Sequence, residues 1–203
     1  MRQTIIPSSY FLIPMNFTRF TLICRTGWNF RFNSYGDGKL ILSYFARIIN
    51  LIMDEEQLIK LLIELSELPA ETEWVEFKVN RFNPEEVGRL ISALSNSANL
   101  CGKQFGYLIF GVKDDNHEIV GTSIKPKIIK EGNEEIENWI MRGLRPHLDF
   151  KIYEFNCDKN TRVVLFEVPS ATDLPVSFMD KAYIRIGSYT KELSDYPDKE
   201  RQI

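Results

Sequence analysis

Residues 71–78, ETEWVEFK, place three carboxylates, Glu71, Glu73 and Glu76, within six positions and end on Lys78. Glutamate is depleted in strands, so an acidic run in an otherwise strand-like stretch stands out. Side chains alternate along a strand, which puts Glu76 on one face with Trp74 and Lys78, and Glu73 on the other with Val75 and Phe77. Clustered carboxylates of this kind are the groups that functional sites perturb; a solvated edge strand with a Glu–Lys pair is the plainer alternative. Asp114 is the second place of interest. It follows the apolar run FGYLIFGV at 105–112, and ligand sites in α/β sheets favour the ends of buried strands. Asp114-Asp115-Asn116 equally suits a tight turn, so the residues alone leave both readings open.

Cations form the third group. Lys125, Lys127 and Lys130 lie in one loop, Arg142 and Arg145 at a helix end with His147, and Lys181 and Arg185 on a late strand. Lysine and arginine are the usual contacts to phosphate oxygens. They are also the commonest solvated side chains, so only the convergence of two clusters on one side favours a nucleic-acid face.

The elements that must position these groups follow from periodicity. The acidic first turn Asp54-Glu55-Glu56 precedes Leu58, Leu61, Leu62 and Leu65 at helical spacing, which predicts a helix over 54–66 ended by Pro69. Glu73–Val79 reads as a strand. Asn83-Pro84-Glu85-Glu86 is a helix start: Asn83 at the N-cap, Pro84 at the first helical position, and Glu86 placed to close a capping box. Val87, Leu90, Ile91, Leu94 and Ala98 make one apolar stripe, which carries this helix to about 99. The run 105–112 predicts a strand buried on both faces, with a short return strand at Glu118–Gly121. Asn133 is expected to cap a helix over 134–143, and strands are expected at 149–155, 161–168 and 182–187. This order predicts an α+β (mixed α/β) fold, with one compact sheet of about five to six strands flanked by helices.

Charge divides the chain. The 203 residues carry a formal net charge of −3, yet residues 1–52 hold six basic residues against one acidic, and 53–203 hold 19 against 27. Ten of the 25 aromatic residues fall in the first 50. Residues 1–39 show no sustained period, 40–52 could form a short helix lying on the neighbouring domain, and 1–52 as a whole are expected to be a poorly structured extension ahead of a natural start at Met53. The domain proper is expected over 53–192, with 193–203 the beginning of a segment cut short after Ile203.

Several function classes are unsupported. Cys24, Cys101 and Cys157 are far apart with no CxxC pair, which argues against a disulfide framework or structural zinc and for reduced thiols in the cytoplasm. Residues 41–53 are apolar but short and interrupted by Arg47, so no membrane partner is expected. There is no G-x-x-x-x-G-K-[ST], H-E-x-x-H or G-x-S-x-G motif. His117 and His147 read as surface or core histidines, and Trp74 and Trp139 as core.

Taken in order, Glu71-x4-Glu76-Phe77-Lys78, Ala98-Asn99, Leu108-Ile109-Phe110-Gly111-Val112-x-Asp114, Ile119-x-Gly121 and Tyr183-Ile184-Arg185-Ile186-Gly187-Ser188-x-Thr190 resemble the Schlafen AlbA-type domain, over about residues 65–192. The resemblance implies a nucleic-acid-binding α/β domain, in bacterial members part of a transcriptional regulator. It also implies a second reading. Vertebrate relatives cut tRNA and rRNA with three metal-binding carboxylates, which carry over to Glu71, Glu76 and Asp114, with Lys78 as the basic residue beside them. Mg²⁺ or Mn²⁺ would be the metal, since hard cations take carboxylate oxygens. Vertebrate members use two lobes, and this chain has one, so a homodimer is one way to complete a clamp. Arg185 matches the closing motif and is the first choice among phosphate contacts. A protein-interaction module without nucleic acid is the third reading.

Overall fold

In the computed structural model, which describes residues 11–15, 19–23, 29–33, 55–69 and 72–203, the chain divides into two units, Met1–Asp54 and Glu55–Ile203. Within the first, β1 (Phe11–Met15), β2 (Arg19–Ile23) and β3 (Asn29–Asn33) form an antiparallel meander, with Leu12 opposite Leu22 and Phe20 opposite Phe32. The sequence led us to expect little regular structure there. Each strand is five residues long, too short to establish a visible period, but aromatic residues occur in all three and β-branched ones in β1 and β2. The short helix expected at 40–52 lies outside the described residues.

The second unit begins with a helix over 55–66, α1, followed by β4 (Val75–Lys78), α2 (Pro84–Leu100) and β5 (Phe105–Phe110). After the turn at 114–116 come a ribbon of β6 (Lys130–Glu131) and β7 (Glu134–Glu135), α3 (Ile136–Gly143), β8 (Leu144–Arg145), β9 (Lys151–Asn156) and β10 (Arg162–Pro169). The chain closes with β11 (Ser177–Phe178), β12 (Lys181–Ile186), β13 (Tyr189–Glu192) and one helical turn, α4 (Pro197–Glu200). The class is α+β. The strands are not gathered in one sheet, however: β4-β5-β10-β9 and β13-β12-β11-β8 form two separate four-stranded sheets.

The first sheet explains the unbroken apolar run 105–110. Tyr107 and Ile109 point with Val163 and Leu165 to one side, where Leu62 and Leu65 of α1 and Val75 and Phe77 of β4 meet them. Leu108 and Phe110 point with Val164, Phe166 and Val168 to the other, against Leu90, Ile91 and Leu94 of α2. Both faces are covered, so both alternating sets must be apolar. Gly106 lets α2 approach closely, since a Cβ there would lie 2.7 Å from the Leu94 carbonyl oxygen.

Helix α2 lies between the sheets, packed on β5 and on β12. Asn83 caps it as expected, its Oδ1 accepting from the Glu86 amide at 2.9 Å, a cap of about 1 kcal/mol, but the Glu86 carboxylate turns to Lys78 and Arg81 and does not close a capping box. Its second buried face is polar. Ser92 Oγ accepts from the Tyr183 amide at 3.1 Å, Ser97 Oγ accepts from the Arg185 amide at 2.9 Å, and Asn96 donates to the Val176 and Tyr183 carbonyls and accepts from the Val176 amide. These side chains satisfy backbone groups of β12 at Tyr183 and Arg185, and of Val176 just ahead of β11.

Two local expectations need correction. The return strand at Glu118–Gly121 is reduced to a single bridge between Val112 and Ile119. Asn133 does not cap α3: Glu134 and Glu135 pair with Glu131 and Lys130, so the helix begins later, with Glu135 at its N-cap and no side-chain cap bond.

Candidate functional site

Strand β4 runs parallel to β5 and brings Glu76 opposite Leu108 and Lys78 opposite Phe110. The 2.7 Å hydrogen bond from the Gly111 amide to the Lys78 carbonyl fixes the end of this pair. Alternation places Glu76 and Lys78 on one face, and their side chains meet at 3.1 Å. The Lys78 ammonium also reaches Glu86 Oε1 at 3.1 Å, and Glu86 Oε2 is met by Arg81 Nε at 3.4 Å. The other oxygen of Glu76 forms an ion pair with Arg185 Nη2 at 2.6 Å. Glu76 and Arg185 are 8% and 4% exposed, so this is a buried ion pair between the two sheets, with Lys78 and Glu86 extending it toward the surface.

A buried carboxylate needs such partners, because desolvation of an unpaired charge costs several kcal/mol. Here the partners consume both oxygens of Glu76. Arg185 Nε is buried and has no hydrogen-bond partner among the described residues. Glu73 lies apart from this network: its Oε1 accepts from the Gly187 amide at 3.3 Å, tying the start of β4 to the β12–β13 turn.

Asp114 is exposed in the turn that follows Val112. Its neighbours are paired with each other: Lys113 holds Glu118 at 2.6 Å, which raises the lysine's pKa and lowers the glutamate's through the shared hydrogen bond. Glu71 lies outside the described residues. Among those described, no group of three or more His, Cys, Asp or Glu side chains is gathered as a metal site. Among the described donors, a divalent cation at Glu76 would have to displace Lys78 or Arg185.

The cations divide into two sets. Arg185 is buried on Glu76, which is no place to meet a phosphate, and Arg142 is held by Glu134 at 2.8 Å, which raises its pKa. Lys125, Lys127, Lys130 and Arg145 are exposed and make no ion pair among the described residues. Arg145 instead donates from Nη1 to the carbonyls of Arg142 and Leu144, at 2.9 and 2.7 Å. The two clusters are brought together at the level of elements: the 3₁₀ turn Pro126–Ile128, which bears Lys127, and β6, which bears Lys130, both pack on α3, and Arg145 follows α3 directly.

Sequence reasoning missed two features of this region. Met179 and Asp180 form the β11–β12 turn with φ of 48° and 65°, and Met179 is about half exposed beside Trp139. A two-residue strand such as β11 leaves no periodic signal, and Met-Asp is not a turn pair that sequence patterns announce.

An α+β domain with two sheets clamped on a polar-faced helix, a buried Glu–Arg pair and a separate set of exposed cations around α3 defines the structural class. The family model described as Schlafen, AlbA_2 matches residues 71–194, well over half of the chain, and the chain belongs to that family. Among solved structures, the DIP2311 protein from Corynebacterium diphtheriae is similar at 19% identity with a TM-score of 0.41, over 77% of this chain and 29% of that one. The chain therefore spans under a third of the length of that protein. No curated protein matches it. Among the described residues no helix is long and apolar enough to cross a membrane.

Proposed function

We propose that residues 55–203 form a nucleic-acid-binding module of the Schlafen AlbA_2 family, working as the DNA- or RNA-contacting part of a transcriptional regulator. The observation that carries this reading is the division of cations. Four of them, Lys125, Lys127, Lys130 and Arg145, are exposed, free of carboxylate partners among the described residues, and carried on α3 or on segments adjoining it. Exposed carboxylates, Glu131 and Glu135 among them, lie on the same segments, so these cations are local phosphate contacts rather than a general basic coating. Cutting is the less favoured reading, because Glu76 is closed by its cations.

Fluorescence anisotropy with labelled RNA and DNA, titrated at salt between about 50 and 200 mM, tests the proposal. Four phosphate contacts predict a slope of log K against log salt of about −3 to −4. A flat dependence would remove nucleic acid as the ligand. A parallel incubation of tRNA with Mn²⁺ separates binding from cutting. Cleavage by the unaltered chain that is lost in Asp114→Asn would replace this reading with the endoribonuclease one. That substitution is the suitable control because Asp114 is exposed and supports nothing.

A further inference from the structure

Between the end of α3 and the β11–β12 turn lies an open cavity of about 270 Å³, lined by Trp139, Arg142, Gly143, Arg145, Met179 and Asp180. Its construction is specific. The Met179 amide donates to the Gly143 carbonyl at 2.9 Å, which pins the turn against the helix end. Gly143 permits this approach, because a Cβ there would stand 2.5 Å from the Phe178 ring. Trp139 is half-buried and braced edge-on by Phe178, with ring centroids 5.8 Å apart.

The turn itself holds two side-chain-bearing residues in left-handed backbone, where glycine or asparagine is usual. Strain of this sort persists where the surrounding structure enforces it and is concentrated at functional sites. Its effect here is to hold out Met179, 49% exposed, as one apolar wall facing the cavity shared with Trp139. On the opposite side, Arg145 is held by two backbone carbonyls through Nη1 alone, which leaves the rest of its guanidinium fork without a carboxylate partner among the described residues.

Resting on the nucleic-acid reading above, we infer that this cavity takes one unstacked base of a single strand, with Trp139 and Met179 against the base and Arg145 on the adjoining phosphate. An aromatic wall with an adjacent guanidinium is the arrangement that sequence-tolerant single-strand binders use. A planar guanidinium suits a phosphate's paired oxygens. The cavity volume admits a base only when the base is out of the helical stack, so a duplex is not its ligand. Asp180 on the rim sets the polarity, keeping the phosphate to the Arg145 side. A second cavity of similar size shares Met179, but its cations are paired, Lys181 with Glu192 and Arg89 with Glu85, so it adds no phosphate contact.

The test compares a labelled single-stranded oligouridylate with a labelled RNA duplex on the full chain by anisotropy. Met179→Gly suits the left-handed backbone, so it removes the wall without disturbing the fold. It is expected to weaken single-strand binding about tenfold and leave any duplex binding unchanged. Arg145→Ala is expected to weaken single-strand binding and reduce its salt slope by about one unit. Quenching of tryptophan fluorescence on titration, lost in Trp139→Phe, is the independent signature of stacking. Unaltered single-strand affinity in both Met179→Gly and Arg145→Ala, with loss in a Lys125→Ala/Lys127→Ala/Lys130→Ala variant, would overturn this site and leave the nucleic-acid reading standing. Equal weakening of single strand and duplex by Met179→Gly would also overturn it. No binding of either probe by the unaltered chain would remove both proposals.

Discussion

Arg185 and Arg145 are the same side chain in opposite circumstances. Arg185 is buried, pairs with Glu76 through Nη2 and gives its amide to Ser97, and joins two sheets. Arg145 is exposed and bonds only to carbonyls of its own segment. A buried charge must be paired and is then unavailable to any ligand; an exposed one left without a carboxylate is free to find a phosphate. The difference separates the part of the molecule that holds the fold from the part that faces a partner.

Variants can break or sharpen that contrast. The largest effect is expected from Arg185→Ala, which strands a buried carboxylate and should cost about 3–5 kcal/mol, read as a fall in the urea midpoint. Exchanging the pair together, Glu76→Leu with Arg185→Met, should recover most of that loss, since an apolar pair carries no desolvation penalty. If the single variant unfolds no more easily than the parent, the pair is not structural and the contrast fails. Asn96→Ala comes next. It leaves the Val176 amide and the Tyr183 carbonyl without their partners, while the Val176 carbonyl keeps Ser92 Oγ, at a cost of about 2 kcal/mol by the same measurement.

On the open side the effects on stability are smaller and of different sign. Met179→Gly should raise stability by about 0.5–1 kcal/mol, because glycine accepts the left-handed backbone at lower cost. Arg145→Ala should shift the urea midpoint by no more than about 0.5 kcal/mol while reducing nucleic-acid affinity. A large stability loss in Arg145→Ala would place it with Arg185 after all.

How much of this could be read from the residues alone depends on what kind of force acts. The Asn83 cap, the apolar stripe of α2 and the doubly buried β5 are local patterns, and all three appear as expected. The shared face of Glu76 and Lys78 also follows from alternation, and their contact bears it out. What closes on Glu76 from the other side does not follow. Arg185 lies far along the chain, and the type of the residue argues for the surface rather than the interior. The same holds for Ser92, Asn96 and Ser97: they interrupt the apolar pattern of α2 as a solvated face would, and only the arrival of β12 makes them interior. Asn133 failed as a cap because a two-residue ribbon, too short to show a period, took the positions ahead of the helix.

The polar row on α2 has a consequence for association. A strand with open amides and carbonyls is a template on which another chain can add a strand. Along β12 the amides of Tyr183 and Arg185 are already held by Ser92 and Ser97. The helix fills the stretch of β12 that the two-residue β11 leaves unpaired, so strand addition beside β11 is blocked within the fold itself.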